Sequence, residues 1–135
     1  MSTKIFVNLP VKDLAKSMKF FEALGYKFNQ QFTDATAACM VISDDIYAML
    51  LTHAKFKELA PREICDAAKV TEVLICLSCE NREQVDDLVR KAVAAGGTAA
   101  DEPEDYGFMY QHGFRDPDSH NWGLIYMDPS YVQKS

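Results

Sequence analysis

One pattern occurs twice in this chain, and few folds are open to a chain that repeats it. Residues 4–11 alternate so that Ile5, Val7, Leu9 and Val11 form one apolar face, while Lys4, Phe6, Asn8 and Pro10 form the other. Asp13 then offers an N-cap. Leu14, Met18, Phe21 and Leu24 recur at helical spacing until Gly25, which predicts a helix over 14–24. The order returns at residues 72–79, with Val73, Ile75, Leu77 and Cys79 on one face and Glu72, Leu74, Cys76 and Ser78 on the other. Asn81 is an N-cap with Gln84 three residues on. Val85, Leu88, Val89, Ala92 and Val93 mark a buried stripe, and Gly96-Gly97 ends the helix.

Each helix is followed by extended segments. Residues 26–32, 36–42 and 47–52 read as strands after the first, and 98–100, 108–114 and 121–126 after the second. The chain is therefore α+β, two βαβββ modules over about 4–53 and 71–127. A linker over 54–70 carries a short helix broken near Pro61. Phe6 falls opposite Leu74, Gly25 opposite Gly96 and Leu50 opposite Gly123, at offsets of 68, 71 and 73 residues. A module of this kind leaves a curved sheet with one uncovered face, so two modules are expected to form mixed sheets around a cleft in a single domain.

The chain closes on GFRDPDSHNWGLIY, residues 113–126, where two apolar runs flank a polar turn. Pro117 fixes φ, and the Asp, Ser and Asn side chains can bond local backbone, which is the chemistry of a hairpin. His120 reads as part of that turn. This hairpin, together with NLPVKDLAKSMKFFEALGY near the start, resembles the vicinal oxygen chelate superfamily, which holds glyoxalase I, extradiol dioxygenases, methylmalonyl-CoA epimerase and the bleomycin-resistance proteins. The resemblance covers residues 4–126. It implies a glyoxalase-like fold and a homodimer whose cleft is shared between modules of the two chains. It also implies, for the metal enzymes, His, Glu or Gln, His and Glu at four strand positions. The residues matching them here are Phe6, Leu50, Leu74 and Gly123, with Met49 as the alternative to Leu50. Hydrocarbon and a bare backbone offer a divalent cation no electron pairs, so neither metal nor other cofactor is expected.

Charge narrows the partners. A net charge of −6 in 135 residues, with no basic cluster, argues against nucleic acid and against an anionic membrane. No apolar run reaches the roughly 18 residues of a bilayer span, and the N-terminus lacks the layout of a secretory signal, so a cytosolic protein is expected. Its four cysteines, Cys39, Cys65, Cys76 and Cys79, then read as reduced thiols that behave as small hydrophobes.

By strand parity, the apolar faces lie under the helices, with Trp122, Leu124 and Tyr126 on the same side as the second. The other faces line the cleft: Phe6, Asn8, Leu50, Thr52, Leu74, Cys76, Asn121 and Gly123, with Glu72 and Ser78 towards strand ends. An apolar lining with a few placed polar groups is what a small-molecule site needs. The first reading is thus a metal-free protein that binds a small apolar or aromatic molecule, as bleomycin-resistance proteins do. A lyase or isomerase of the glyoxalase or dioxygenase type is the alternative, using a non-family metal site or His112, Glu72 or Tyr110 as acid or base. An interaction module without a small ligand is the third reading. His112 is able to face the cleft, and residues 106–110 form either a wall for a flat ligand or a completion of the core. The acidic run 101–105 reads as a solvated loop.

Overall fold

The computed structural model describes residues 2–131. The chain divides between Asp66 and Ala67 into two compact units, each built around its own sheet.

In the first unit, β1 (Ile5–Val11) leads to α1 (Leu14–Ala23), β2 (Lys27–Asn29), β3 (Ala37–Val41), β4 (Ile46–Thr52) and α2 (His53–Leu59). The Asp13 carboxylate accepts the Lys16 amide as N-cap, and Gly25 at φ 104° turns the chain out of the helix, a conformation open to glycine at little cost. Residues 30–32 form a 3-10 turn where an unbroken strand was expected. Asn29 starts that turn by accepting the Gln31 amide, which removes the backbone from the ladder. The sheet runs β1-β4-β3-β2, with β1 and β4 parallel and the other pairs antiparallel. Its register places Leu9, Leu50 and Ala38 in one row, and Val7, Ala48 and Met40 in the next. All but half-buried Val7 are sealed from solvent, and α1, which touches β2, β3 and β4, contributes Phe20 and Phe21 to the same core.

In the second unit, β5 (Leu74–Ser78) leads to α3 (Arg82–Ala94), then β6 (Thr98–Ala99), β7 (Glu104–Asp105), β8 (Met109–Arg115) and β9 (Asn121–Met127). Asn81 caps α3 by accepting the Gln84 amide, and the Gln84 side chain reaches back to accept the Glu80 amide. Val85, Val89 and Ala92 are the buried stripe. Val93 is 49% exposed, because it lies a quarter-turn beyond Ala92 and off that stripe. The order β5-β9-β8-β6, with β5 and β9 parallel, repeats the winding of the first unit. The duplication visible in the sequence is therefore a duplication of topology. The acidic run contributes β7, which pairs with β8 through Glu104 and Asp105 and so is partly sheet.

The closing hairpin turns on Asp116. Its carboxylate accepts the Asp118 and His120 amides on Oδ1 and the Trp122 indole N–H on Oδ2 at 3.0 Å. Asp116, His120 and Trp122 are all buried, and Ser119 takes the left-handed conformation at φ 68° that the turn requires. Burial pushes the Asp116 carboxyl up against the opposing pull of His120 and these hydrogen bonds.

Candidate functional site

On the face of the second sheet opposite α3 lies a concavity of about 390 Å³. Its shape follows from the register. Cys76, Gly123 and Gly113 stand side by side on β5, β9 and β8, and Gly113 carries the ladder on by accepting the Ala100 amide. Two of these positions have no side chain, so the row is a trough with backbone for a floor. Leu74, Asn121 and Arg115 form the row on one side. On the other stand Ile125 and Gln111, with Glu104 beside them on β7. Glu104 accepts hydrogen bonds from Gln111 at 3.0 Å and Tyr106 at 2.6 Å, which fix its carboxylate and hold it below the usual carboxylate range, the Tyr106 bond most strongly.

The two floor glycines are there for different reasons. A Cβ on Gly113 would sit 2.7 Å from the Trp122 carbonyl oxygen, closer than any side chain tolerates. One on Gly123 would meet Cys76 Sγ at 3.5 Å, an ordinary contact, so Gly123 keeps the trough open without being forced by the backbone.

Four expected lining residues, Leu74, Cys76, Asn121 and Gly123, are brought together here. Phe6 and Asn8 sit exposed on the first sheet, where Phe6 stacks on Tyr47 with ring centroids 4.8 Å apart and Asn8 bonds the Phe6 carbonyl. Leu50 and Thr52 are corrections. Leu50 pairs with Leu9 and Thr52 with Val11, so both belong to the opposite face from Phe6 and Asn8. Leu50 is completely buried, and Thr52 Oγ1 is engaged in capping α2 through the Lys55 amide. The cause is a one-residue slip, which exchanges the faces of a strand. Asn8 pairs with Met49 as Cys76 pairs with Gly123, so the counterpart of Gly123 is Met49.

Of the acid–base candidates, only His112 borders the concavity. Tyr110 and His112 share the side of Tyr126 and Leu124. The Tyr110 hydroxyl donates to Asp86 of α3 at 2.5 Å, and that bond pushes its pKa up to about 12. His112 Nε2 lies 3.2 Å from the Ala100 carbonyl and 3.3 Å from that of Asp101; two acceptors require it to carry the proton and donate. Glu72 is exposed ahead of β5. Tyr106 and Phe108 are half exposed and do not complete a core. Desolvation pushes the Cys76 and Cys79 thiols up, and Cys76 is exposed on the trough side rather than buried.

Gly113, Gln111 and Arg115 escaped the sequence reading. Placing them needs the exact residue at which β8 ends, and a strand taken to stop at 114 leaves Arg115 in the turn.

Comparison with known proteins agrees with this fold. A family described as bleomycin resistance protein-like N-terminal matches residues 3–43. Among curated proteins none matches. Hypothetical protein SA1046 from S. aureus superimposes with a TM-score of 0.78 at 29% identity, over 93% of this chain and 94% of that one. A glyoxalase/bleomycin resistance protein/dioxygenase family enzyme from Burkholderia phytofirmans gives 0.76 at 16% identity, over 93% and 99%. The fosfomycin resistance protein FosX from Listeria monocytogenes gives 0.67 at 18%, over 100% and 96%. The chain has the fold of the glyoxalase/bleomycin resistance/dioxygenase proteins. The four positions that resemblance assigns to metal ligands hold Phe6, Met49, Leu74 and Gly123, and a thioether is a soft ligand unsuited to a hard cation. Among the described residues no group of three or more His, Cys, Asp or Glu is placed to hold a metal ion. These residues do not fit the metal centre.

Proposed function

We propose that this vicinal oxygen chelate fold captures a small apolar or aromatic molecule without a metal, in the manner of a bleomycin-resistance protein. The observation that carries the reading is the trough over Gly113 and Gly123, walled by Leu74, Asn121 and Gln111. Its volume of about 390 Å³ lies in the range that holds a drug-sized molecule. Hydrocarbon, an open floor and a few amides make a binding surface, with the carboxylates of Asp101, Glu102 and Glu104 at its rim. Of the acid–base candidates, Tyr110 is bound to Asp86 of α3, and His112, which borders the trough, is engaged with the Ala100 and Asp101 carbonyls, so neither favours the enzymatic alternative. A homodimer in the cytosol belongs to the same proposal through the resemblance, and mass measurement in solution tests its stoichiometry.

The reading is tested by thermal-shift screening of the full chain against planar aromatic compounds and antibiotics, including bleomycin and fosfomycin. A compound held only by the folded state raises the melting temperature. The expected result is a saturable rise that Gly123→Val abolishes, because the added side chain fills the trough without a backbone clash. A rise unaffected by Gly123→Val places the ligand elsewhere and overturns the proposal.

A further inference from the structure

Two side chains at the trough have no task inside the second unit. Among the described residues, neither the Arg115 guanidinium nor the Asn121 amide has a hydrogen-bond or ion-pair partner, and they stand opposite each other on β8 and β9. Of the neighbouring wall groups, Gln111 is bound to Glu104, and Leu74 is hydrocarbon that is 75% exposed. A guanidinium beside an amide N–H presents converging donors, which suit a carboxylate. The loop after β6 and β7 bring Asp101, Glu102 and Glu104 to the rim. Three carboxylates against one guanidinium oppose a simple anion and favour a ligand that also carries positive charge.

We infer that the trough selects a flat aromatic zwitterion, with its acidic group on Arg115 and Asn121, its ring over Gly113 and Gly123, and its basic group turned to the rim carboxylates. The inference rests on the ligand-binding reading above and narrows it to a chemical class. Arg115 is the residue that sets specificity. A charge-assisted hydrogen bond of this kind changes affinity by roughly tenfold or more.

Four probes of one ring size separate the contributions: para-(aminomethyl)benzoate with both charges, para-toluate with the acid, para-methylbenzylamine with the base, and para-xylene with neither. Each is titrated into the full chain while the backbone amide shifts of Gly113 and Gly123 are followed. The zwitterion is expected to bind roughly tenfold more tightly than either singly charged probe. Arg115→Gln should bring it down to the level of the amine, and Arg115→Lys, which keeps the charge and loses the fork, should leave it in between. Equal affinity for the three charged probes, or a zwitterion indifferent to both Arg115 variants, overturns the inference. If para-xylene alone shifts Gly113 and Gly123 and Gly123→Val removes that shift, ligand capture stands and the zwitterion falls. If none of the four produces a saturable shift, both fall.

Discussion

Asp116 shows how much a single side chain can organise. One carboxylate answers three donors, the Asp118 and His120 amides and the Trp122 indole, inside a buried turn. Asp116→Ala leaves all three without an acceptor and should cost about 3 kcal/mol in urea unfolding. Asp116→Asn keeps one oxygen for the amides and should cost less, with Trp122→Phe removing most of the difference between the two variants. The floor glycines give a second contrast. Gly113→Ala drives a Cβ into the Trp122 carbonyl and should destabilise by about 1–3 kcal/mol, whereas Gly123→Ala should be nearly neutral in the same assay. The sequence showed DPDSHN as a turn and Trp122 as core, and both hold. It did not single out Asp116, since a turn Asp and a buried Asp look alike until the indole is seen to reach it.

Arg82, the first residue of α3, ties helix to sheet. Its guanidinium lies 5.6 Å from the Tyr110 ring centroid and 6.0 Å from that of Tyr126. It pairs with Asp105 at 3.2 Å and donates to the Gly107 carbonyl at 2.8 Å. The segment around β7, which carries Glu104 to the trough, is thus fastened from the other side of the sheet. Arg82→Ala should speed amide exchange in residues 104–108 with little change in β5, as hydrogen exchange would report. Without that speeding, β7 is held by β8 alone. The neighbouring bond from Tyr110 to Asp86 has a pH signature. A tyrosine of ordinary pKa near 10 when unfolded and about 12 when folded keeps its proton longer in the folded chain. Stability is therefore lost as pH rises through that window. Ultraviolet titration should show Tyr110 ionising late, as should Tyr106 through its bond to Glu104, and Asp86→Asn should return Tyr110 alone towards 10. Helices and strands were legible because caps and alternation are local. The 3-10 turn at 30–32 and the pairing of β7 were not, since the first needs the Asn29 side chain and the second needs a partner strand.

At the scale of the whole molecule, the repeated βαβββ winding was readable before any coordinates, because alternation, cap and terminal glycine recur in one order. The candidate site was only half readable. Leu74, Cys76, Asn121 and Gly123 were found by parity, while Leu50 and Thr52 were misplaced by a one-residue slip that only the pairing of β1 with β4 reveals. The correction strengthens the account, because the residue restored to the position is Met49. Phe6, Met49, Leu74 and Gly123, at the positions where the resemblance puts metal ligands, offer no oxygen or nitrogen side-chain ligand. The most direct measurement is the metal content of the full chain after equilibrium dialysis against nickel, zinc, manganese and ferrous iron in turn. Far less than one equivalent of any of them is expected, with unchanged ligand-induced melting shifts when chelator is added. One equivalent of a cation, retained through dialysis and lost on substituting a trough residue, would contradict it.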